Sequence, residues 1–245
     1  MIWQKSKIKT WLPRLQCHRG YWVEGELQNS LDSVRRAFER GYDICEFDVR
    51  LTADRELILF HDAKFNNKFL SDTLFADLVD QIQVTTLRRL FEWFVRTEKF
   101  KLNIEIKNDN ILNYEIEKQV CDLVGEFGIS DRVLVSSFNP LSLSKVRLFN
   151  PRIYRAMLLS FEQEHGNNWF VMSGVMNYFC YPQALHLRYQ DFLAHRNYFK
   201  KLARKIPIVL WTVNDLEIYK DNRDLIYGII SDSVTPAEMN ALETE

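Results

Sequence analysis

At 245 residues, 47% of them hydrophobic and 13% aromatic, the chain is long enough to bury a large core and too apolar to stay disordered. Its 32 basic and 33 acidic residues leave a formal net charge of −1, which removes the basic excess that a nucleic-acid binder needs. No aliphatic or aromatic run exceeds four residues, against the roughly 20 of a membrane helix and the roughly 7–15 of a signal-peptide core, so neither is predicted. The four cysteines, Cys17, Cys45, Cys121 and Cys180, have no CxxC spacing and read as reduced core thiols, the usage of a cytoplasmic protein.

The first segment, Met1–Arg14, sets Lys5, Lys7, Lys9 and Arg14 among Ile2, Trp3, Ile8, Trp11 and Leu12. It reads as a segment closing the floor of a barrel in preference to a membrane-surface helix. Strands are predicted at Leu15–Arg19, Ile44–Thr52, Leu57–His61, Lys101–Lys107 and Val133–Phe138. Further strands are predicted at Ile153–Leu159, Tyr178–Tyr181, Ile206–Val213 and Gly228–Ser231. Between them the spacing predicts a helix over Ser30–Arg40, with Asn29 or Ser30 as N-cap, Leu31, Val34 and Phe38 on one stripe, and Gly41 past its end. Thr86–Arg96, Ile111–Phe127, Leu141–Phe149, Gln190–Arg204 and Pro236–Leu242 complete the helices. No linker divides the chain and no period repeats. Eight main strands and one extra predict an α/β fold, a (β/α)8 TIM barrel over 1–245 as a single domain, in preference to an open doubly wound sheet.

Strand parity then sorts the polar residues. Residues two apart in a strand share a face. In Ile44–Leu51, Cys45, Phe47, Val49 and Leu51 form an apolar row, and Glu46, Asp48 and Arg50 a polar one. In Lys101–Lys107 the apolar row is Leu102, Ile104 and Ile106, and the polar row is Asn103, Glu105 and Lys107. The apolar rows should meet the helices, so Glu46, Asp48 and Glu105 converge inside the barrel with Lys107. Burying such charge costs several kcal/mol per group unless it is compensated. Either a divalent cation, Ca²⁺ or Mg²⁺ for an all-oxygen ligand set, or a salt-bridge network with Arg19, Arg50 and Lys107 would compensate it.

His18 follows the apolar run of the first strand and precedes Arg19-Gly20, and His61 closes the third and precedes Asp62. Both fall at strand C-terminal ends, where barrel enzymes keep their chemistry. Beside three carboxylates, an arginine and a lysine, two histidines suit acid/base work on a phosphate. His165, His186 and His195 lack such company and read as surface or loop residues.

Taken in order, Cys17-His18-Arg19-Gly20, Gln28-Asn29-Ser30, Glu46-Phe47-Asp48 and His61-Asp62 resemble the glycerophosphodiester phosphodiesterase family. The resemblance runs on through Asn103-Ile104-Glu105-Ile106-Lys107, Ser137-Phe138 and Trp211-Thr212-Val213-Asn214 to Gly228-Ile229-Ile230-Ser231-Asp232. It implies a (β/α)8 barrel that hydrolyses small glycerophosphodiesters to sn-glycerol 3-phosphate and an alcohol with a divalent cation. By resemblance the metal ligands are Glu46, Asp48 and Glu105, the general acid and base His18 and His61, and the phosphate-binding cations Arg19 and Lys107. Trp211 is expected either to pack against the glycerol carbons or to be a core aromatic. The chain departs from the family's proline-glutamate-asparagine-threonine run with Leu27-Gln28-Asn29-Ser30. It also shows an abbreviated insertion after His61-Asp62, which predicts an open barrel mouth. Two other readings use the same residues: a phospholipase D-like enzyme or cyclising lyase on lyso- or sphingolipids, and a catalytically silent binding barrel.

Overall fold

The computed structural model describes residues 7–108, 110, 113–162 and 180–244. Eight parallel strands close into a barrel: β1 (Leu15–Cys17), β2 (Ile44–Leu51), β6 (Lys101–Ile106), β7 (Val133–Ser137), β8 (Tyr154–Leu159), β9 (Ala184–Arg188), β10 (Ile208–Trp211) and β11 (Gly228–Ser231). The seam forms where β1 pairs with β11, Cys17 opposite Ser231, and with β2, Cys17 opposite Cys45. β3 (Leu57–Leu59) is the extra strand, antiparallel on the edge of β2. This is the predicted TIM barrel.

Parity builds the two cores. Cys45, Phe47, Val49, Leu102, Ile104 and Ile106 are buried in the outer layer shared with the helices. Leu134, Ala156, Ala184, Val209 and Ile230 form a separate inner cluster, and Ile8 and Leu12 plug it from below. The floor plug, α1 (Ile8–Trp11), is held by Trp11 Nε1 donating to Asp131 O at 2.6 Å and Lys101 Nζ donating to Trp11 O at 2.7 Å. The described part of Met1–Arg14 therefore closes the barrel floor.

The helix α2 (Leu31–Glu39) begins at Ser30, whose hydroxyl accepts from Ser33 N at 3.0 Å in a capping box. Its predicted stripe holds for Leu31 and Val34, whereas Phe38 is 41% exposed and meets Trp93 and Phe100 edge-on. The insertion after Asp62 folds as a hairpin of β4 (Lys64–Phe65) and β5 (Lys68–Phe69), a 3-10 turn at Leu70–Asp72 and the short helix Phe75–Val79. Asn66 and Asn67, both at positive φ, make the hairpin turn that right-twisted strands favour. The insertion packs Leu70 and Leu78 on Ile58 of β3 as a small core apart from the barrel's.

Four sequence expectations need correction. The strand placed at Tyr178–Tyr181 is not a barrel strand: residues 178 and 179 lie outside the described residues, and the barrel uses Ala184–Arg188. Tyr181 sits at φ 45°, which no strand adopts, and the Arg155 guanidinium takes the Cys180 and Tyr181 carbonyls. Gln190–Arg204 is two helices, Tyr189–Ala194 and Arg196–Ala203, and the helix expected from Ile111 begins at Glu115. His186 lies neither on the surface nor in a loop; it is fully buried on β9. His195 is exposed as expected, and His165 lies outside the described residues.

Candidate active site

β2 and β6 pair in register with Asp48 opposite Glu105 and Glu46 opposite Asn103, so the two polar rows meet inside the barrel. Glu46, Asp48 and Glu105 are all buried, and one oxygen from each lies within 4.8 Å of the others. Lys107 Nζ sits 3.2 Å from Asp48 Oδ1 and 2.5 Å from Glu105 Oε1, and Arg19 Nε is 3.4 Å from Asp48 Oδ2. A salt-bridge network thus forms around Asp48 in part. It leaves Glu46 Oε1 buried with no hydrogen-bond partner, and the other Glu46 oxygen accepts the Arg19 backbone N–H at 3.1 Å. Three carboxylates against two cations and an orphaned buried oxygen fit a hard divalent cation. Electrostatics divides the group. Burial, and then the Asp48 and Glu105 charges, push the Glu46 carboxyl well above its ordinary range. Burial also raises Glu105 against the pull of Lys107, whereas Lys107 and Arg19 overcome burial and hold Asp48 below the carboxylate range.

Both histidines are paired to a carboxylate through Nδ1. His18 Nδ1 is 2.7 Å from Asp232 Oδ1, and His61 Nδ1 is 2.8 Å from Asp62 Oδ1. An ionised carboxylate only accepts, so each Nδ1 carries the proton and each Nε2 is left for chemistry. His18 Nε2 lies 3.9 Å from Glu46 Oε2. Burial, with Lys107 and Arg19 nearby, holds His61 below the usual histidine range despite Asp48 and Asp62.

The loop after β1 shows why the sequence reads His18-Arg19-Gly20. Arg19 takes φ 56° and Gly20 φ 81° as the chain turns onto the N-terminus of α2, where a Cβ at residue 20 would run into Ser33 Oγ. Ser33 Oγ donates to Arg19 O at 3.2 Å, and Tyr21 N donates to Ser33 O at 2.8 Å. Gln28 Oε1 accepts from an Arg19 guanidinium nitrogen at 3.1 Å, so the uncharged replacement keeps a polar contact.

One cavity of about 250 Å³ brings together His18, Arg19, Glu46, His61, Glu105 and Lys107, with Trp211 and Phe138 on its wall. Trp211 meets Phe138 edge-on at 5.7 Å between ring centres. None of the described residues lining it comes from the insertion at 63–83, as an abbreviated lid predicts. Asp48 lies beneath, held through Lys107 and Arg19.

Sequence reasoning missed four residues here. Asp232 orients His18 and is itself held by Asn214, whose Nδ2 donates to Asp232 Oδ2 at 2.9 Å. Asn29, at φ 54°, donates to Asp48 Oδ2 and accepts from Asp48 N, both at 2.9 Å. Phe138 and His186 line the cavity. The ends of Gly228–Ser231 and Val133–Phe138 were the available signals for Asp232 and Phe138. Asn29 stands in the Gln28-Asn29-Ser30 run, whose local reading is a helix N-cap and not a contact with Asp48.

The glycerophosphoryl diester phosphodiesterase family model matches residues 18–235. An uncharacterised protein of Mycoplasma genitalium is 31% identical over 220 residues, covering 82% of this chain and 86% of its own. A glycerophosphodiester phosphodiesterase structure from Parabacteroides distasonis superposes with a TM-score of 0.77 at 23% identity, covering 94% of this chain and 97% of that one. A phosphodiesterase of Oleispira antarctica, solved with the product sn-glycerol-3-phosphate, superposes with a TM-score of 0.76 at 20% identity over 96% of this chain and 98% of that one. The two superpositions speak for the fold. Among the described residues, no helix is long and apolar enough to cross a membrane.

Proposed function

The chain belongs to the glycerophosphoryl diester phosphodiesterase family, and from that premise we propose that it hydrolyses glycerophosphodiesters to sn-glycerol 3-phosphate and an alcohol. The observation that carries this reading is a single cavity lined by two carboxylate-paired histidines, by Glu46 and Glu105 of the three converging carboxylates, and by an arginine and a lysine.

Arg19 and Lys107 supply positive charge to the phosphodiester monoanion and to the charge that builds on its oxygens during displacement. Glu46, Asp48 and Glu105 would hold a divalent cation, Ca²⁺ or Mg²⁺, which would supply Lewis-acid stabilisation of the same charge. His61 serves as the base. Its lowered pKa keeps it neutral at neutral pH, so Nε2 takes the proton of the attacking oxygen, from water or from the neighbouring glycerol hydroxyl. His18 is then the acid: with Nδ1–H held by Asp232, it enters the reaction carrying a second proton, on Nε2, and gives that proton to the alkoxide as the phosphorus–oxygen bond breaks. Trp211 offers an apolar wall to the glycerol carbons.

Release of sn-glycerol 3-phosphate from glycerophosphocholine, with and without chelator, tests the reading. Turnover should require a divalent cation and fall by about 10²–10⁴-fold in His18→Ala and in His61→Ala. Full activity in chelator together with full activity in both variants would remove the assignment. A cyclic phosphate accumulating as the product would transfer the site to the lyase reading.

A further inference from the structure

The proposed chemistry leaves the one unused histidine of the cavity without a task. His186 stands on β9 in register with Leu158 of β8 and Val209 of β10, and it lines the same cavity as the carboxylates. It is fully buried, and neither ring nitrogen has a hydrogen-bond partner. Burial pushes its pKa down to about 3, so the ring is neutral, with one nitrogen a donor and the other an acceptor.

That placement is costly. Two unsatisfied polar atoms in a barrel interior weaken the fold, and an apolar side chain of similar volume would remove the penalty. The polar residues nearby do not relieve it. Ser136 Oγ donates to Asn103 Oδ1 and Asn103 Nδ2 donates to Gln16 Oε1, both at 2.9 Å, and no member of that chain bonds the His186 ring; Gln16 Nε2 is itself buried without a partner. Leu158 and Ile230 make the adjoining wall apolar. The ring therefore has a donor and an acceptor to offer to a neutral ligand group, and no charge with which to attract phosphate.

We infer that His186 recognises a glycerol hydroxyl of the substrate: the ring rotates about Cβ–Cγ, presents a nitrogen to the cavity, and the hydroxyl becomes its missing partner. The inference rests on the proposed hydrolysis of glycerophosphodiesters. The glycerol half is the constant part of that substrate class and is small enough for a cavity of about 250 Å³. The alcohol half varies and takes the open mouth. His186 is on this account a specificity-determining residue, whose loss weakens binding of the glycerol half and leaves the phosphate grip intact.

Calorimetric titration of the cation-loaded protein with sn-glycerol 3-phosphate and with n-propyl phosphate tests this, because propyl phosphate keeps the phosphate and three carbons but lacks the hydroxyls. In His186→Leu the preference for glycerol 3-phosphate should shrink by about tenfold, with propyl phosphate affinity unchanged, and His186→Gln should keep most of the preference. The Leu variant should also melt no lower than the parent, since it removes unsatisfied polar atoms. On the parent itself, the ¹⁵N resonances of the His186 ring should move with glycerol 3-phosphate and stay in place with propyl phosphate. That readout needs no variant to fold. An undiminished preference in His186→Leu, or ring resonances unmoved by glycerol 3-phosphate, overturns the inference. Hydrolysis of glycerophosphocholine by the parent is read separately. Its absence removes the proposed function, whereas its presence with an undiminished preference removes the role of His186 alone.

Discussion

Asp232→Asn exchanges one carboxylate oxygen for an amide group and tests how the His18 imidazole is held. In the parent, the two Asp232 oxygens accept from His18 Nδ1 at 2.7 Å and from Asn214 Nδ2 at 2.9 Å, while Asp232 N donates to Asn214 Oδ1. An Asn side chain has one accepting oxygen, so only one of those two donors keeps its partner. If the oxygen stays with Asn214, the new NH₂ faces His18 and stabilises the tautomer with Nδ1 bare and Nε2 protonated. Either outcome loosens the ring whose Nε2 lies 3.9 Å from Glu46 Oε2. A hydrogen bond to a charged partner contributes about 1.5–3 kcal/mol, which converts to a turnover loss of about 10- to 150-fold if it is held through the transition state. Steady-state hydrolysis of glycerophosphocholine measures the loss, and cation titration should show affinity unchanged, since Asp232 is not among the converging carboxylates. Stability carries a second signature. Burial would raise Asp232, but the His18 and Asn214 bonds and the Arg19 charge hold it below the carboxylate range. A depressed folded pKa stabilises above the unfolded value of about 3.9 and is lost as pH falls through the folded value, so parent and variant melting curves should converge only in acid. Turnover within threefold of the parent, or cation affinity falling in parallel with it, would refute the orienting role.

Glu46→Gln, Asp48→Asn and Glu105→Gln should each weaken Ca²⁺ and Mg²⁺ binding and turnover together, because each removes an anionic oxygen; calorimetry showing unchanged cation affinity in all three would end the metal assignment. His61 has a lowered folded pKa, so the unfolded chain binds the extra proton first and stability should decline as pH falls below about 6.5. His61→Ala should flatten that decline in thermal melts, and an unaltered pH dependence would count against the half-buried neutral imidazole. The cavity draws no described lining residue from 63–83, so kcat/KM should be similar for glycerophosphocholine, glycerophosphoethanolamine and glycerophosphoglycerol, a missing contact being worth only about 1–3 kcal/mol. Bis(p-nitrophenyl) phosphate should react far more slowly than all three. A strong preference for one headgroup would point to a specificity element outside that segment.

The carboxylate cluster was legible because strand parity is an exact constraint: with helices covering one face, Glu46, Asp48 and Glu105 had only the barrel interior to occupy. The floor plug was legible for a related reason, since Ile8 and Leu12 had to cover the apolar end of a closed barrel. His186 was not legible, because its strand was misplaced. The aromatic run ending at Tyr181 suits a strand by propensity, yet Tyr181 adopts φ 45° and the pairing partner of β8 begins at Ala184. Moving the strand to Ala184–Arg188 puts Leu185 and Leu187 with the outer core and turns His186 inward. Tertiary pairing, not local preference, decided that position.

The residues that hold the functional side chains were hidden for a topological reason. Asp232 is 214 positions from His18, and the two meet only because β11 pairs with β1 and His18 N donates to Ser231 O at 2.9 Å. The same seam pairs β1 with β2, which sets the Arg19 backbone N–H on Glu46 and lets Arg19 reach Asp48. Barrel closure thus assembles the proposed acid, its orienting carboxylate, a phosphate-directed cation and two of the three converging carboxylates in one step. His61 is built differently: it follows β3 on the edge of β2, and its carboxylate partner is the next residue in the chain. Distortion of the seam should therefore reach His18, Arg19 and Glu46 together while leaving the His61–Asp62 pair intact. The two histidines, alike in their pairing, depend on separate parts of the fold.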